Sequence, residues 1–285
     1  MTPTLVRQHL PHAGAAPRVD PCARARDWSE IQERMLVPLY EAVYERLGVG
    51  TGTRLLGLRC GSGLALLLAV SRGATAVTGV DTSPGLLALA RRRLLPEGWE
   101  TRTPAGTRIV EGSPEDAADA ETPAYNLVTA FAPIGCRAGD SEGLGETLRA
   151  AAPLAERGAA VVLAGWGPPE RCATSSVLRV AAELAEPLRG AGSWRPARRD
   201  DLEEVAERAG LRPDGSGRVS CPFGYADVGS ALRGLLSTGL FDAAITATDQ
   251  AQVDKELTEA LHPHLRGDGT VWMPNVFRYL IARVP

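Results

Sequence analysis

The chain has 285 residues, 44% hydrophobic content and a formal net charge of −3 with a pI near 5.9. That length suffices for one sizeable α/β domain, or a core domain with a lid. The faintly acidic balance gives no electrostatic argument for nucleic acid or an anionic membrane. Cys22, Cys60, Cys136, Cys172 and Cys221 are widely spaced with no C-x-x-C pair, which argues against a disulfide framework or a structural zinc site. No apolar stretch reaches the roughly 18 residues that cross a bilayer, and no signal-type N-terminus is evident. A reduced, cytoplasmic protein is the expectation.

Residues 1–26 are rich in Ala, Pro, Arg and His without periodicity, and are expected to form a mobile arm. Over residues 28–47, Ile31, Met35, Leu36, Leu39, Val43 and Leu47 recur at steps of three and four, predicting one helix with a buried face. Gly48 and Gly50 end it. A strand is predicted at 54–58, followed by the turn Arg59-Cys60-Gly61-Ser62-Gly63 and a leucine-rich helix at 63–71. A second strand, 76–80, ends on Asp81; Ser83 and Pro84 then open a helix to residue 94 as N-cap and first-turn proline. Further strands are predicted near 107–110, 125–131 and 159–164, with a helix around 142–151. Beyond them come a helix at 200–209, a strand near 217–221, two or three helices within 226–261, and a final strand over 270–284. Apolar strands alternating with helices make an α/β parallel sheet covered on both faces, which binds ligands beyond the carboxyl ends of its strands.

The stretch 53–94 carries most of the functional information. Gly61 and Gly63 lack a Cβ, so the chain turns sharply and a ligand can approach the backbone. The helix behind them presents unpaired N–H groups and a partial positive charge. Asp81 offers two acceptor oxygens, which suit a pair of ribose hydroxyls. A dinucleotide-type G-x-G-x-x-G needs a third glycine at position 66, where this chain has Leu66, so a nicotinamide oxidoreductase is disfavoured.

With this turn, its helix and the distant acid, the chain resembles the class I S-adenosylmethionine-dependent methyltransferases over roughly Trp28 to the C-terminus. Within them it looks most like actinobacterial small-molecule enzymes related to the quinone-biosynthesis type. Two positions depart from the family pattern: Gly57 stands where the family has an acid that holds the methionine amino group, and Arg59 stands where it has the first glycine. Arg59 can reach the methionine carboxylate or obstruct the pocket. The resemblance implies a seven-stranded, mostly parallel, Rossmann-like sheet with an antiparallel last strand. Residues 27–285 would form one domain, with a cap helix at 27–50 and a helical lid inserted at 226–262. It implies S-adenosylmethionine as cofactor and methyl transfer to an O, N or C nucleophile of a small molecule, by a monomer or homodimer.

The resemblance places Arg59, Cys60, Gly61, Gly63, Asp81, Thr82, Ser113, Glu115 and Phe131 around the cofactor. Ser113 occupies a position where an aspartate is frequent, and Glu115 and Asp116 serve equally well as caps of the next turn. Phe131 is either a cofactor or substrate contact or a core aromatic. Trp28, Met35, Trp166 and Tyr225 are implied as substrate-pocket walls. Glu170 is the best-placed candidate base, with a solvated acid or an Arg171 partner as the plain alternative. His262 and His264 flank Pro263 with no third ligand in view, so no metal is expected. The alternative function is a non-catalytic or repurposed protein of this fold that binds a metabolite or a protein partner.

Overall fold

A computed structural model describes residues 20–95, 106–118, 124–136, 139–185 and 201–285. Helix α1 spans Pro21–Asp27. A π-helical turn, Trp28–Gln32, and a 3₁₀ turn, Glu33–Leu36, then lead into α2, Val37–Leu47. Strand β1 (Arg54–Leu58), α3 (Leu64–Ser71), β2 (Ala76–Asp81), α4 (Pro84–Leu94), β3 (Gly106–Glu111) and β4 (Tyr125–Ile134) follow. Next come α5 (Leu144–Ala151), β5 (Ala155–Trp166), α6 (Thr174–Ala185), α7 (Asp201–Arg208) and β6 (Arg212–Ser220). Strand β7 (Phe223–Tyr225), α8 (Val228–Ser237), α9 (Asp242–Ala247), α10 (Gln250–Leu261), β8 (Val271–Met273) and β9 (Val276–Arg283) complete the described chain.

The main sheet has seven strands in the order β3-β2-β1-β4-β5-β9-β6, and β9 runs antiparallel to both neighbours. The strand order reverses between β1 and β4, which is where sheets of this kind open a crevice. Alternating side chains feed two cores. Leu55, Val77, Leu127 and Val162 face α2, α3, α6 and α8, whereas Leu56, Val80, Val128 and Leu163 face α5 and α7. No helix among the described residues is long and apolar enough to cross a membrane.

Three expectations need correcting. The expected arm, 1–26, is helical from Pro21: Asp20 accepts from the Cys22 N–H, proline opens the first turn, and Ala25 is buried. Arg24 then donates two hydrogen bonds to Asp242, at 2.8 and 2.6 Å; residues 1–19 of that arm lie outside the described residues. The single helix expected over 28–47 is instead a π turn, a 3₁₀ turn and an α-helix, with Pro38, which has no N–H to continue an earlier turn, at the start of the α-helical part. The terminal run splits at Pro274-Asn275 into β9, in the main sheet, and β8, which pairs with β7 in a sheet of two strands. Asn275 at the break is buried, accepting from the Thr174 N–H and donating to the Thr174 hydroxyl. Helix α6 was not anticipated, although Val177, Leu178 and Ala181 recur at helical spacing and are buried.

One packing contact sets the height of α3 above the sheet. Gly57 and Gly79 are paired across β1 and β2 and leave a notch. Leu66, 1% exposed, fills it: a Cβ on Gly79 would lie 2.5 Å from Leu66 Cδ1, and one on Gly57 would lie 2.9 Å from Leu66 Cδ2. Gly79→Ala is therefore expected to destabilise the fold by about 1–3 kcal/mol through overpacking, and Leu66→Ala by about 2–5 kcal/mol through the cavity it leaves. The double variant should be less destabilised than the two single costs combined, because each change relieves the other. Urea denaturation of the four proteins measures this coupling, and strict additivity would remove the notch as its cause.

Candidate functional site

The turn after β1 holds the site. Arg59 has φ +50°, the only non-glycine residue among those described in the left-handed region, followed by Gly61 at +58° and Gly63 at +77°. The Cys60 N–H donates to the Val80 carbonyl at 3.0 Å, tying the turn to the end of β2. Asp81 closes it. Its Oδ2 accepts from the Gly61 N–H and its Oδ1 from the Ser83 N–H, both at 2.9 Å. Both carboxylate oxygens are thereby oriented, and each retains a lone pair.

The cleft at this turn is lined by Gly57, Arg59, Cys60 and Gly61 from the turn region, by Thr129, Phe131 and Ala132 from β4, and by Trp28, Glu33, Leu36 and Tyr40 from the N-terminal segment. The space open to water-sized groups in it is about 40 Å³, room for a few water molecules. Phe131 packs against Tyr40 and Tyr44, with ring centroids 4.8 and 5.8 Å apart.

Glu33 is the residue that the sequence reading missed. It is 2% exposed and sits under the turn. The Ser62 hydroxyl donates to its Oε2. Arg93 donates to the same oxygen at 3.1 Å, to the Ser62 hydroxyl and carbonyl at 2.6 and 2.8 Å, and to the Ser29 hydroxyl at 2.9 Å. This network pins the N-terminal segment to the turn and to α4. Burial pushes the Glu33 carboxyl above its ordinary value, opposed by the Ser62 hydrogen bond and the Arg93 charge. A signal for Glu33 was present: Glu33, Leu36 and Tyr40 follow one another at i, i+3 and i+7, so the acid shares a face with two cleft-lining apolar residues.

Of the residues expected around a cofactor, Arg59, Cys60, Gly61 and Phe131 line the cleft. Asp81 borders it through Gly61, while Gly63 packs its backbone against Ala90 and Leu94 of α4. Thr82 is exposed beside Asp81. Ser113 and Glu115 are exposed and are not among the cleft-lining residues; Ser113 forms a capping box with Asp116, donating from its N–H at 2.8 Å and its hydroxyl at 3.0 Å. Of the expected substrate walls, only Trp28 lines the cleft. Met35 packs on the core beside it. Trp166 stacks on Phe277 and Phe223 with centroids 4.6 and 5.8 Å away, and Tyr225 is buried, donating to Gln32 Oε1 at 2.9 Å. Glu170 is exposed on the 3₁₀ turn after β5 and is not among the cleft-lining residues. No group of three His, Cys, Asp or Glu side chains among the described residues is arranged to hold a metal ion.

The Cys60 thiol is pushed up to about 12, first by burial and then by the neighbouring Asp81 and Glu33 charges. It is protonated and poorly nucleophilic at neutral pH. At pH 7.5 a thiol-alkylating reagent should label the exposed Cys22 quickly and leave Cys60 and the buried Cys136, Cys172 and Cys221 intact until the protein is unfolded. Peptide mapping by mass spectrometry reads this, and rapid native labelling at Cys60 would contradict the closed cleft.

No family model matches the chain, and no curated protein matches it by sequence. Solved structures do match. A methyltransferase from Thiobacillus denitrificans in complex with S-adenosylhomocysteine has a TM-score of 0.52 and 16% identity, covering 95% of this chain and 100% of its own. YjhP from Escherichia coli has a TM-score of 0.52 and 18% identity, covering 92% and 99%. The [4+2]-cyclase SpnF has a TM-score of 0.51 and 15% identity, covering 87% and 80%. The strand order, the antiparallel β9 and these similarities together give the chain the Rossmann-like fold of the class I methyltransferases.

Proposed function

We propose that the protein transfers a methyl group from S-adenosylmethionine to an O, N or C nucleophile of a small molecule, in the cytoplasm. The observation that carries this reading is Asp81. It stands at the end of β2, beside the glycine turn, with each oxygen oriented by a backbone N–H and still able to accept a ribose hydroxyl. The residues around it suit such a cofactor: the turn has no side chain at Gly61, and Trp28 Nε1 is buried near it with no hydrogen-bond partner.

When bound, the cofactor supplies a methyl already activated by its positively charged sulfur. The protein's share is to bind, orient and exclude water. Asp81 would hold the ribose, and Leu36, Tyr40 and Phe131 would form a dry wall. Cys60, protonated, would not compete for the methyl with the intended acceptor. Glu170 remains a proposed base for acceptors that must lose a proton, and its exposed position requires the substrate to reach the rim of the site. Trp166, half-buried, and Tyr225, buried, would act as supports of the substrate side.

A second reading, a repurposed protein that binds a metabolite without methyl transfer, draws on two features. Glu33, the carboxylate lining the cleft, is engaged by Arg93 and Ser62. The same fold serves the cyclase SpnF. Calorimetric titration of S-adenosylmethionine and S-adenosylhomocysteine, followed by screening with methyl-labelled cofactor, separates the readings. Micromolar binding that weakens roughly tenfold or more in Asp81→Asn supports the cofactor site. Label appearing in a small-molecule product supports the enzyme, and binding without label transfer favours the second reading. Absence of binding would sink the methyl-transfer reading and leave the second reading with another ligand or a protein partner.

A further inference from the structure

This protein carries no acid at position 57, and a Cβ there would lie 2.9 Å from Leu66 Cδ2, so Leu66 would have to shift to admit one. An acid nevertheless reaches the cleft, from a different element. Glu33 Oε1 lies 3.2 Å from the point where a Cβ on Gly61 would sit, and Trp28 Nε1 lies 3.2 Å from that same point. An acceptor carrying negative charge and an indole donor therefore converge on one bare patch of backbone. Ser62 and Arg93 both donate to Oε2 of Glu33, the Leu64 backbone N–H also donates to this carboxylate, and Oε1 lies against the turn. The indole N–H is buried with no hydrogen-bond partner, and a buried polar group in that state is costly. Such a cost points to a partner that arrives with a ligand. Arg59, exposed on the same cleft, adds a guanidinium. The space open to water-sized groups at this cleft is about 40 Å³.

We propose that Glu33, Trp28 and Arg59 form a subsite for the zwitterionic amino-acid end of the ligand, with Glu33 accepting from its ammonium and the Trp28 N–H and Arg59 donating to its carboxylate. The acid is thus delivered by the segment that closes the cleft, not by the strand beneath it. This inference rests on the cofactor reading above and assigns the recognition of one end of that cofactor to this chain's own residues.

The test compares two ligands that share the adenosine and differ at this end. S-adenosylhomocysteine carries the zwitterion; 5′-methylthioadenosine lacks it. Calorimetry on the native chain should give tighter binding of S-adenosylhomocysteine. Glu33→Gln should weaken S-adenosylhomocysteine by roughly 10- to 100-fold, the range of a charge-assisted hydrogen bond, and leave 5′-methylthioadenosine unchanged. Trp28→Phe, which keeps the ring and removes the N–H, should weaken only S-adenosylhomocysteine and serves if Glu33→Gln fails to fold. Equal loss for both ligands would mean a structural role and would overturn the subsite. So would unchanged S-adenosylhomocysteine binding in both variants, or equal native affinity for the two ligands. Native protein that binds neither ligand overturns the cofactor reading itself and the subsite with it, whereas native binding of 5′-methylthioadenosine with an indifferent Glu33 overturns the subsite alone.

Discussion

The site depends on how closely α3 lies against the sheet, and Leu66 decides that distance. Two paired glycines, Gly57 and Gly79, are the only residues that leave room for it. Once Leu66 occupies their notch, the turn that precedes α3 is drawn down onto the ends of β1 and β2. Cys60 then meets Val80, and Gly61 meets Asp81. A larger residue at position 57 would have to displace the Leu66 side chain. The leucine at position 66 and the glycines at positions 57 and 79 are therefore one packing arrangement.

Much of the fold was legible because its elements announce themselves locally. Strands β1, β2 and β4 are short apolar runs, and α4 has both its serine cap and its proline at the first turn. The glycine turn and Asp81 were legible for the same reason. What escaped was set by contacts distant in sequence. The N-terminal segment has a clear helical period, yet it adopts a π turn and a 3₁₀ turn where it meets Arg93, Ser62 and Tyr225. The period could not register that Ser29, Gln32 and Glu33 face inward with partners waiting, since polar residues count against a buried face. Tyr225 and Trp166 read as pocket walls because aromatics near strand ends often are; instead Trp166 packs against Phe223 of β7 and Phe277 of β9, and Tyr225 against Phe223, while β7 pairs with β8, which the sequence presented as one strand with β9. Pro274 was the mark of the division.

The arrangement of charge at the turn also has a physical logic. Arg93 is held by one carboxylate, one hydroxyl pair and one carbonyl, so a half-buried cation is satisfied from three segments of the chain. Glu33 is held near that cation and away from bulk water. Its remaining oxygen is prevented from turning to solvent, which is the kind of fixed dipole or charge that a binding site requires at little reorganisation cost. Arg59 differs: it is exposed, and its backbone sits in a region that costs most residues on the order of 1 kcal/mol. Strain at a residue facing a cleft is commonly retained for what the residue does there.

The order in which the chain leaves the ribosome bears on when this site can exist. Arg24 pairs with Asp242, 218 positions away, and Gln32 with Tyr225, 193 positions away. A nascent chain that has completed β1 to β5 has the glycine turn and Asp81 but nothing to fasten the segment bearing Trp28 and Glu33 from the far side. Such long-range closures come late and slowly. Until β7 to α9 have been made, the segment bearing Trp28 and Glu33 lacks its partners Tyr225 and Asp242. The protein thus reaches ligand competence only when nearly all of its length has been made.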